Sequence, residues 1–487
     1  MKNFYKYLLK NNNLYKNKNA LIFNEEKVSY SELLRLVDNC SEEFKKKYKL
    51  NLNNKISIFM ENSIEYVLII LIACKLNLSV QTLGTYYSQN LIKNRLRKFK
   101  PKIIFTKKHL LFFFKKNDKK VKVFDYKIST KKINNDKKNL FKKGLNRKLL
   151  AVESSGTTGS SKTVIFSEKC KILRSLSAID TYKLTNKDIF ISTAPFDHSV
   201  GHRQIFLPII LGSTNIILKN FHPKLWIENI KKHKVSFTLL VSTQITKILE
   251  TLNLNKKNTK YLKNIVSVST KLNLRDKKKL LKLDVILHEM YGTCEIGTAT
   301  SINLKREKNK SKSVGKYLNN YKIKILNNKR FCKPNEIGEI ICKSPNKFEE
   351  YMGLNTKQEK KFFFKDYFRT GDLGYLDSDN YLFFIGRKKN LVKINGLSVY
   401  PEEIEKKIKK GLNYNNFVIT SSKDANENEK LVIYVEKFSK FKMTKLNNFF
   451  NFKLEKYEIP NKIINLNKFP RTNLGKINLS EIKKNEI

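Results

Sequence analysis

The stretch Leu149-Leu150-Ala151-Val152-Glu153-Ser154-Ser155-Gly156-Thr157-Thr158-Gly159-Ser160-Ser161-Lys162 sets how the chain is read. A short apolar run passes directly into small Gly, Ser and Thr residues and ends on one lysine. Bounded apolar runs of this length read as buried strands. Glycines let backbone N–H groups approach an anion closely and tolerate positive φ. Hydroxyls add donors, and the lysine adds a movable charge. The composition suits a polyphosphate, and it also suits a plain surface loop between a strand and a helix. It is not a Walker A loop, because that pattern needs Gly immediately before the Lys, and Ser161 stands there. With only 17 Gly in 487 residues, so dense a Gly/Ser/Thr cluster is unusual for this chain.

Working outward, strands and helices alternate. Upstream, residues 31–46 read as a helix that Ser31 can cap, with Leu33, Leu34, Val37, Cys40 and Phe44 at helical spacing. A strand at 56–60, an apolar helix at 63–76 and a strand at 103–106 follow. Residues 107–148 are dominated by Lys and Asn and read as solvated surface. Downstream, strand-like runs fall at 188–193, 214–219, 235–241, 264–269 and 285–290, with helical runs such as 226–232 and 243–252 between them. This predicts an α/β fold, with parallel sheets covered by helices. After about residue 320 the pattern shifts to short strands and turns, which predicts a β-barrel-like subdomain. A small α+β unit closes the chain, with a helix opened by Pro401, strands at 417–420 and 430–436 and a helix at about 443–456. The expected boundary gives a large N-terminal domain over 1–387 and a small one over 388–487.

Lys plus Arg number 98 against 43 Asp plus Glu, a formal net charge of +55. Such a balance invites a nucleic-acid reading. Arg, the residue that reads phosphates in a planar fork, is scarce beside Lys. Asn, Ile, Phe and Tyr are abundant too, and with Lys these are the residues of A/T-rich codons. The charge therefore reads as base composition acting on exposed positions, and no nucleic-acid partner is expected. Apolar residues, at 40%, suffice for a large core. The six cysteines and six histidines form no zinc-type spacing. Scattered thiols fit a reducing cytoplasm. The first residues, MKNFYKYLLKNNN, lack the apolar core of a secretory leader. No apolar run approaches the roughly 20 residues of a membrane span.

Further segments complete a pattern. Ser155-Gly156-Thr157-Thr158-Gly159-Ser160-Ser161-Lys162-Thr163 resembles the SGTTGxPKG phosphate loop of the AMP-forming adenylating enzymes, with Ser161 and Thr163 in place of Pro and Gly. This superfamily holds acyl-CoA synthetases, luciferases and peptide-synthetase adenylation domains. Tyr291-Gly292-Thr293-Cys294-Glu295 is similar to its YGxTE motif, and Phe368-Arg369-Thr370-Gly371-Asp372 to its YRTGD segment. The run from Gly386-Arg387-Lys388-Lys389-Asn390 through Gly396 to Pro401-Glu402-Glu403-Ile404-Glu405 resembles its hinge, the most specific match. Pro470-Arg471-Thr472-Asn473-Leu474-Gly475-Lys476 resembles its terminal PxTxxGK motif, without the Arg that usually follows. The resemblance covers nearly the whole chain.

The resemblance implies a set of roles. Ser155, Gly156, Thr157, Thr158, Gly159 and Lys162 would bind the triphosphate of ATP. Tyr291 would flank the adenine, Gly292 and Thr293 of the same motif would bind the nucleotide, and Glu295 would hold Mg²⁺. Cys294 replaces a Thr that contacts the α-phosphate, and a thiol is a weaker donor. Asp372 and Arg387 would take the ribose. Lys389 would be the hinge, and Gly396 would leave room for a pantetheine arm. Lys476 would be the catalytic lysine, bridging the attacking carboxylate and the α-phosphate. Lys162, Glu295 and Lys476 form the implied catalytic set. The implied reaction forms an acyl-adenylate from a carboxylic acid and ATP, then passes the acyl group to a thiol.

The segment Ala194-Pro195-Phe196-Asp197-His198-Ser199-Val200-Gly201 falls where the family's acid pocket begins. Pro-x-x-His-x-x-Gly is the acyl-CoA synthetase form, with His198 at the pocket wall. Phe196-Asp197-x-Ser199 is also the amino-acid form, with Asp197 pairing an ammonium. Asp197 and His198 can equally pair with each other. CoA is the expected acceptor, with a carrier-protein phosphopantetheine as the alternative. A degenerate nucleotide-binding homologue is the third reading. The identity of the acid and the oligomeric state are not legible at this level.

Overall fold

The computed structural model describes residues 3–116, 118–127, 146–153, 162–394, 397–412, 414–423, 429–471 and 477–484. The described residues group into two compact units. The first takes those of 1–156, 160–311 and 344–361, and the second those of 312–343 and 362–487.

Two sheets build the first unit. One runs Gly297–Asn303, Ile286–Thr293, Asn264–Val268, Phe237–Val241, Ile189–Ser192, Thr214–Ile217, Asn19–Phe23 and Glu26–Ser29. Its inner pairings are parallel, and antiparallel partners stand at both ends of this run. The other runs Glu350–Tyr351, Thr163–Ser167, Lys148–Glu153, Ser79–Leu83, Lys55–Phe59, Ile103–Thr106 and Val121–Val123. The parallel α/β architecture expected from the alternating pattern is therefore present. The helix Ile64–Leu76 is apolar all round and buried on nearly every face, as a helix packed within a protein interior must be.

Some local expectations shift. The helix Tyr30–Tyr48 is capped by Ser29, not Ser31. Ser29 Oγ accepts from the Glu32 amide at 3.2 Å, and the Glu32 carboxylate accepts from the Ser29 amide at 2.8 Å. This reciprocal pair is a capping box. The strand Ser79–Leu83 did not stand out in sequence because Gln81 interrupts its apolar run. Gln81 is buried and satisfied, accepting from Ser57 Oγ at 2.9 Å and donating to the Arg95 carbonyl. The N-terminal helix Phe4–Tyr15 also went unread, and it stacks Phe4 on Phe206 at 4.1 Å.

In the second unit, six antiparallel strands form a sheet around Tyr367–Leu376. The sheet is open, and no ring of pairings closes it among the described residues. The barrel-like shape expected there is thus an open sheet. A further sheet of Phe417–Lys423, Glu429–Glu436 and Lys462–Leu466 packs with the helices Pro401–Leu412 and Lys440–Lys453 around Ile404, Ile408, Phe417, Ile433, Leu446 and Phe450. No helix among the described residues is long and apolar enough to cross a membrane.

Candidate active site

In the first unit, the parallel strands bring their carboxyl ends to one edge, the usual ligand-binding edge of an α/β sheet. Three segments leave there, beginning at Thr193, Ser242 and Ser269, and the strand Ile286–Thr293 runs on past them to carry Tyr291. Gln204 and Gln244 stitch the first to its neighbours through Thr193, Ala194 and the Leu239 carbonyl. Ser269, which opens one of these segments, has a φ of +83°. A glycine would hold that angle without strain.

Residues Ser155, Gly156, Thr157, Thr158 and Gly159 lie outside the described residues, but the base of their loop does not. Glu153 and Thr163 are partners across antiparallel strands. The loop therefore joins two strands, and the reading of a strand-to-helix connection is corrected. Thr163 Oγ1 donates to Glu153 Oε1 at 2.6 Å, and Arg95 pairs with Glu153 Oε2 at 2.9 Å, all buried. Thr163, a departure from the family's Gly, thus ties the loop's ends together.

Lys162 leaves this base with its ammonium 4.8 Å from the centre of the Tyr351 ring. The Tyr351 hydroxyl donates to Glu295 Oε1 at 2.8 Å. Burial pushes the Tyr351 phenol far up, and the Glu295 charge adds to it. Desolvation lowers the Lys162 ammonium, and Glu295 partly restores it. Lys162, Tyr351 and Glu295 thus share one neighbourhood. The turn that carries Glu295 is clamped from beneath by Arg174. Its guanidinium donates to the carbonyls of Cys294 at 2.9 Å, Glu295 at 2.8 Å and Asn346 at 3.0 Å. The Phe348 amide adds a bond to the Glu295 carbonyl at 2.7 Å. Arg174 and Tyr351 were missed in sequence, since neither belongs to a spaced motif.

Gly292 is fixed by close approach. A Cβ there would meet the Gly297 carbonyl oxygen at 1.9 Å. The Tyr291–Gly292 step is irregular in its ladder, and Tyr291 is buried. Burial pushes the Cys294 thiol up to about 12, so at neutral pH it is an inert, uncharged group.

Asp197 and His198 do come together, but Tyr86 joins them. The Tyr86 hydroxyl lies 2.6 Å from Asp197 Oδ2 and 2.6 Å from His198 Nε2, and its ring stacks on the imidazole. His198 Nε2 and Asp197 Oδ2 are 3.8 Å apart. The segment that follows the strand Ser79–Leu83 therefore supplies the group that engages Asp197.

In the second unit, Asp372 and Arg387 are cross-strand partners, with Arg387 Nε 2.8 Å from Asp372 Oδ1. Arg369 and Lys388 converge on Glu339, leaving Arg387 directed to Asp372. Burial raises the Glu339 carboxyl, and the two cations outweigh it and hold it low. Lys389 sits in the short turn Lys388–Asn390. Glu402 grips that turn, accepting from Asn390 Nδ2 at 2.8 Å and from the Arg387 amide at 3.3 Å. Asn390 is thus a donor to a carboxylate. Gly396 and Lys476 lie outside the described residues.

The family model for AMP-binding enzymes matches residues 8–352. The chain belongs to the AMP-binding enzyme family. This AMP-binding enzyme is 25% identical over 346 residues to indoleacetate–CoA ligase of Aromatoleum aromaticum, covering 69% of this chain and 66% of that protein. It is 27% identical over 412 residues to luciferin 4-monooxygenase of Photuris pensylvanica, covering 78% and 75%. It is 25% identical over 333 residues to 2-succinylbenzoate–CoA ligase of Bacillus subtilis, covering 68% and 67%. Its fold matches that of o-succinylbenzoate CoA synthetase from Bacillus subtilis, solved with an acyl-adenylate, at a TM-score of 0.87 and 22% identity over 98% and 97% of the two chains. It also matches ATP-bound MatB from Rhodopseudomonas palustris, at 0.89 and 21% over 99% and 98%.

Glu295 fits Mg²⁺. It offers hard carboxylate oxygens, one already oriented by Tyr351. No group of three or more His, Cys, Asp or Glu suited to a metal occurs among the described residues. Mg²⁺ suits such a site, since it binds through one or two carboxylates together with substrate phosphates and water.

Proposed function

We propose that this chain is an AMP-forming acid–CoA ligase that activates a carboxylic acid as its adenylate and passes the acyl group to the CoA thiol. The observation that carries the reading is the Lys162–Tyr351–Glu295 arrangement at the base of the Gly/Ser/Thr loop, within a chain of the AMP-binding family. Lys162 and the loop backbone hold the triphosphate of ATP. Tyr291 lies along the adenine, and Asp372, braced by Arg387, accepts from the ribose hydroxyls. Glu295 holds Mg²⁺, which when bound neutralises phosphate charge. Lys476 bridges the attacking carboxylate and the α-phosphate as negative charge builds. Such transfer depends on positioning and on preorganised charge.

Residues 388–487 act as a small mobile domain that pivots near Lys389, and Gly396 borders the pantetheine path. The engagement of Asp197 by Tyr86 favours the acyl form over one in which Asp197 takes a substrate ammonium. Six free cysteines support a cytoplasmic enzyme. The test is ATP–pyrophosphate exchange across fatty, aromatic, short-chain and amino acids, with CoA then added. Acid-dependent exchange followed by an acyl-CoA product is expected. Exchange with amino acids alone, and transfer only to a carrier protein, would replace this reading with a carrier-loading one. No exchange with any acid would mark a degenerate nucleotide-binding homologue.

A further inference from the structure

The helices Glu168–Tyr182 and Ser199–Leu211 pack together and enclose a small cavity lined by Lys171, Arg174, Ser199, His202, Arg203 and Phe206. Lys171 is 4% exposed and His202 0%. The Lys171 ammonium lies 3.7 Å from the centre of the Phe166 ring yet reaches no hydrogen-bond acceptor among the described residues. Neither ring nitrogen of His202 has a hydrogen-bond partner among the described residues. Ser175, also at the wall, spends its hydroxyl on the Lys171 carbonyl at 3.0 Å. No carboxylate lines the cavity among the described residues.

Buried lysines are almost always paired. A buried donor without an acceptor carries a full desolvation penalty. Here a lysine and a histidine carry it together, with Arg203 beside them and Arg174 occupied by backbone carbonyls. The described residues bring cations and donors to this point and no carboxylate. The ligand that matches is an anion.

The location says which anion. Ser199 directly follows His198 and opens the helix that the acid-pocket segment feeds. The Cys294 thiol, in the turn that carries Glu295, faces both the Ser199 hydroxyl and Lys171. The cavity wall therefore begins one residue beyond His198, in the segment assigned to the acid. We propose that it is a subsite for a second anionic group on the acid, so that the substrate is a dianionic acid such as a dicarboxylate. The proposal rests on the acid-activating function above. Lys171 supplies the ion pair, His202 a neutral donor and Arg203 a flanking charge. A plain aliphatic tail would leave Lys171 buried against carbon. Polar sites of this kind reject analogues that lack the matching group far more strongly than apolar pockets reject an extra methylene. Burial and the nearby Arg174 and Arg203 lower the Lys171 ammonium to about 7, and an anion bound beside it would favour the charged form again.

The test is ATP–pyrophosphate exchange by the full chain and by Lys171→Met and Lys171→Arg. The acids are short α,ω-dicarboxylates and carboxyaryl acids, each beside its distal amide. The wild-type chain is expected to favour a diacid over its amide by about 100-fold or more in kcat/KM. Lys171→Met is expected to cut that ratio by about 50-fold or more, and Lys171→Arg, which keeps the charge, by far less. Wild-type exchange confined to monocarboxylates would overturn the subsite while leaving the ligase reading intact. A uniform rise in the KM for ATP in Lys171→Met, with every acid alike, would also overturn it and assign the cavity to a nucleotide phosphate. No exchange with any acid would remove the function on which it rests. Should Lys171→Met fail to fold, thermal-shift titration of the wild-type chain with diacid and amide decides, and equal shifts overturn the proposal.

Discussion

The Tyr351 hydroxyl donates to Glu295 Oε1 at 2.8 Å, and the same ring carries the Lys162 ammonium on its face. One side chain therefore orients both the carboxylate assigned to Mg²⁺ and the lysine assigned to the phosphates. Partners of this kind in an outer shell typically matter by 10- to 100-fold. Tyr351→Phe keeps the ring and loses the hydroxyl. It is expected to raise the Mg²⁺ concentration for half-maximal exchange by about tenfold, while Glu295→Gln abolishes exchange. A Mg²⁺ titration of the exchange rate checks this. Unchanged Mg²⁺ dependence in Tyr351→Phe would remove Tyr351 from the site.

Lys171 gives a pH prediction with a definite sign. Burial and the neighbouring Arg174 and Arg203 hold its ammonium at about 7, and Cys170, Cys294 and His202 are the other titratable groups facing it. An anion binds the protonated form. The preference for a diacid over its distal amide is therefore greatest below pH 7 and falls as pH rises through it, by up to about tenfold per unit beyond. Taking the ratio of the two acids cancels effects common to both. A ratio flat from pH 6 to 9 would contradict the assignment.

Glu402 makes the Lys388–Asn390 turn a test of local electrostatics. Burial raises its carboxyl above the usual range, and Asn390 and the Arg387 amide partly offset this. Asn390→Asp would set a second carboxylate against Glu402 Oε1. The variant is expected to lose about 1–3 kcal/mol at neutral pH, where a donor becomes a like charge. Because the Glu402 pKa is raised, acidification protonates that carboxyl and the deficit shrinks as pH falls. Denaturant midpoints at pH 5 and 7.5 check this, and an equal deficit at both would contradict it.

The parts of this site legible in sequence were those built from contiguous, spaced residues. Gly292 is readable because a backbone oxygen leaves room for nothing else, and that constraint recurs as a motif. Asp372 and Arg387 are readable for a related reason, since a cross-strand register fixes both. The strands feeding the loop and the Pro401 helix were visible from apolar patterning. Arg174 was not legible, because its role is to bind carbonyls 120 and more residues away in a chain where isolated cations are commonplace. Tyr86 and Tyr351 were hidden for the same reason. The helix Ser199–Leu211 contains Gly201 and Pro208, both adverse to helix propensity, and it forms because tertiary packing outweighs them. The Ser29 cap was in principle readable, since Ser29 and Glu32 have the spacing of a capping box.

Lys476 separates the two half-reactions. Its assigned role ends once the adenylate has formed. Lys476→Ala is expected to lower adenylate formation by about 100-fold or more, an electrostatic contribution of a few kcal/mol. It is expected to change thioester formation from a supplied acyl-adenylate far less. Stopped single-turnover assays of each step check this, and equal loss in both would remove Lys476 from the catalytic set.

The central claim is that one chain joins an acid to a thiol at the expense of ATP cleaved to AMP. Its most direct test is the product balance of the complete reaction with ATP, Mg²⁺, CoA and the acid that gives the fastest exchange. One AMP and one pyrophosphate for each acyl-CoA formed is the predicted result. ADP in place of AMP, or ATP turnover without a thioester, would contradict it.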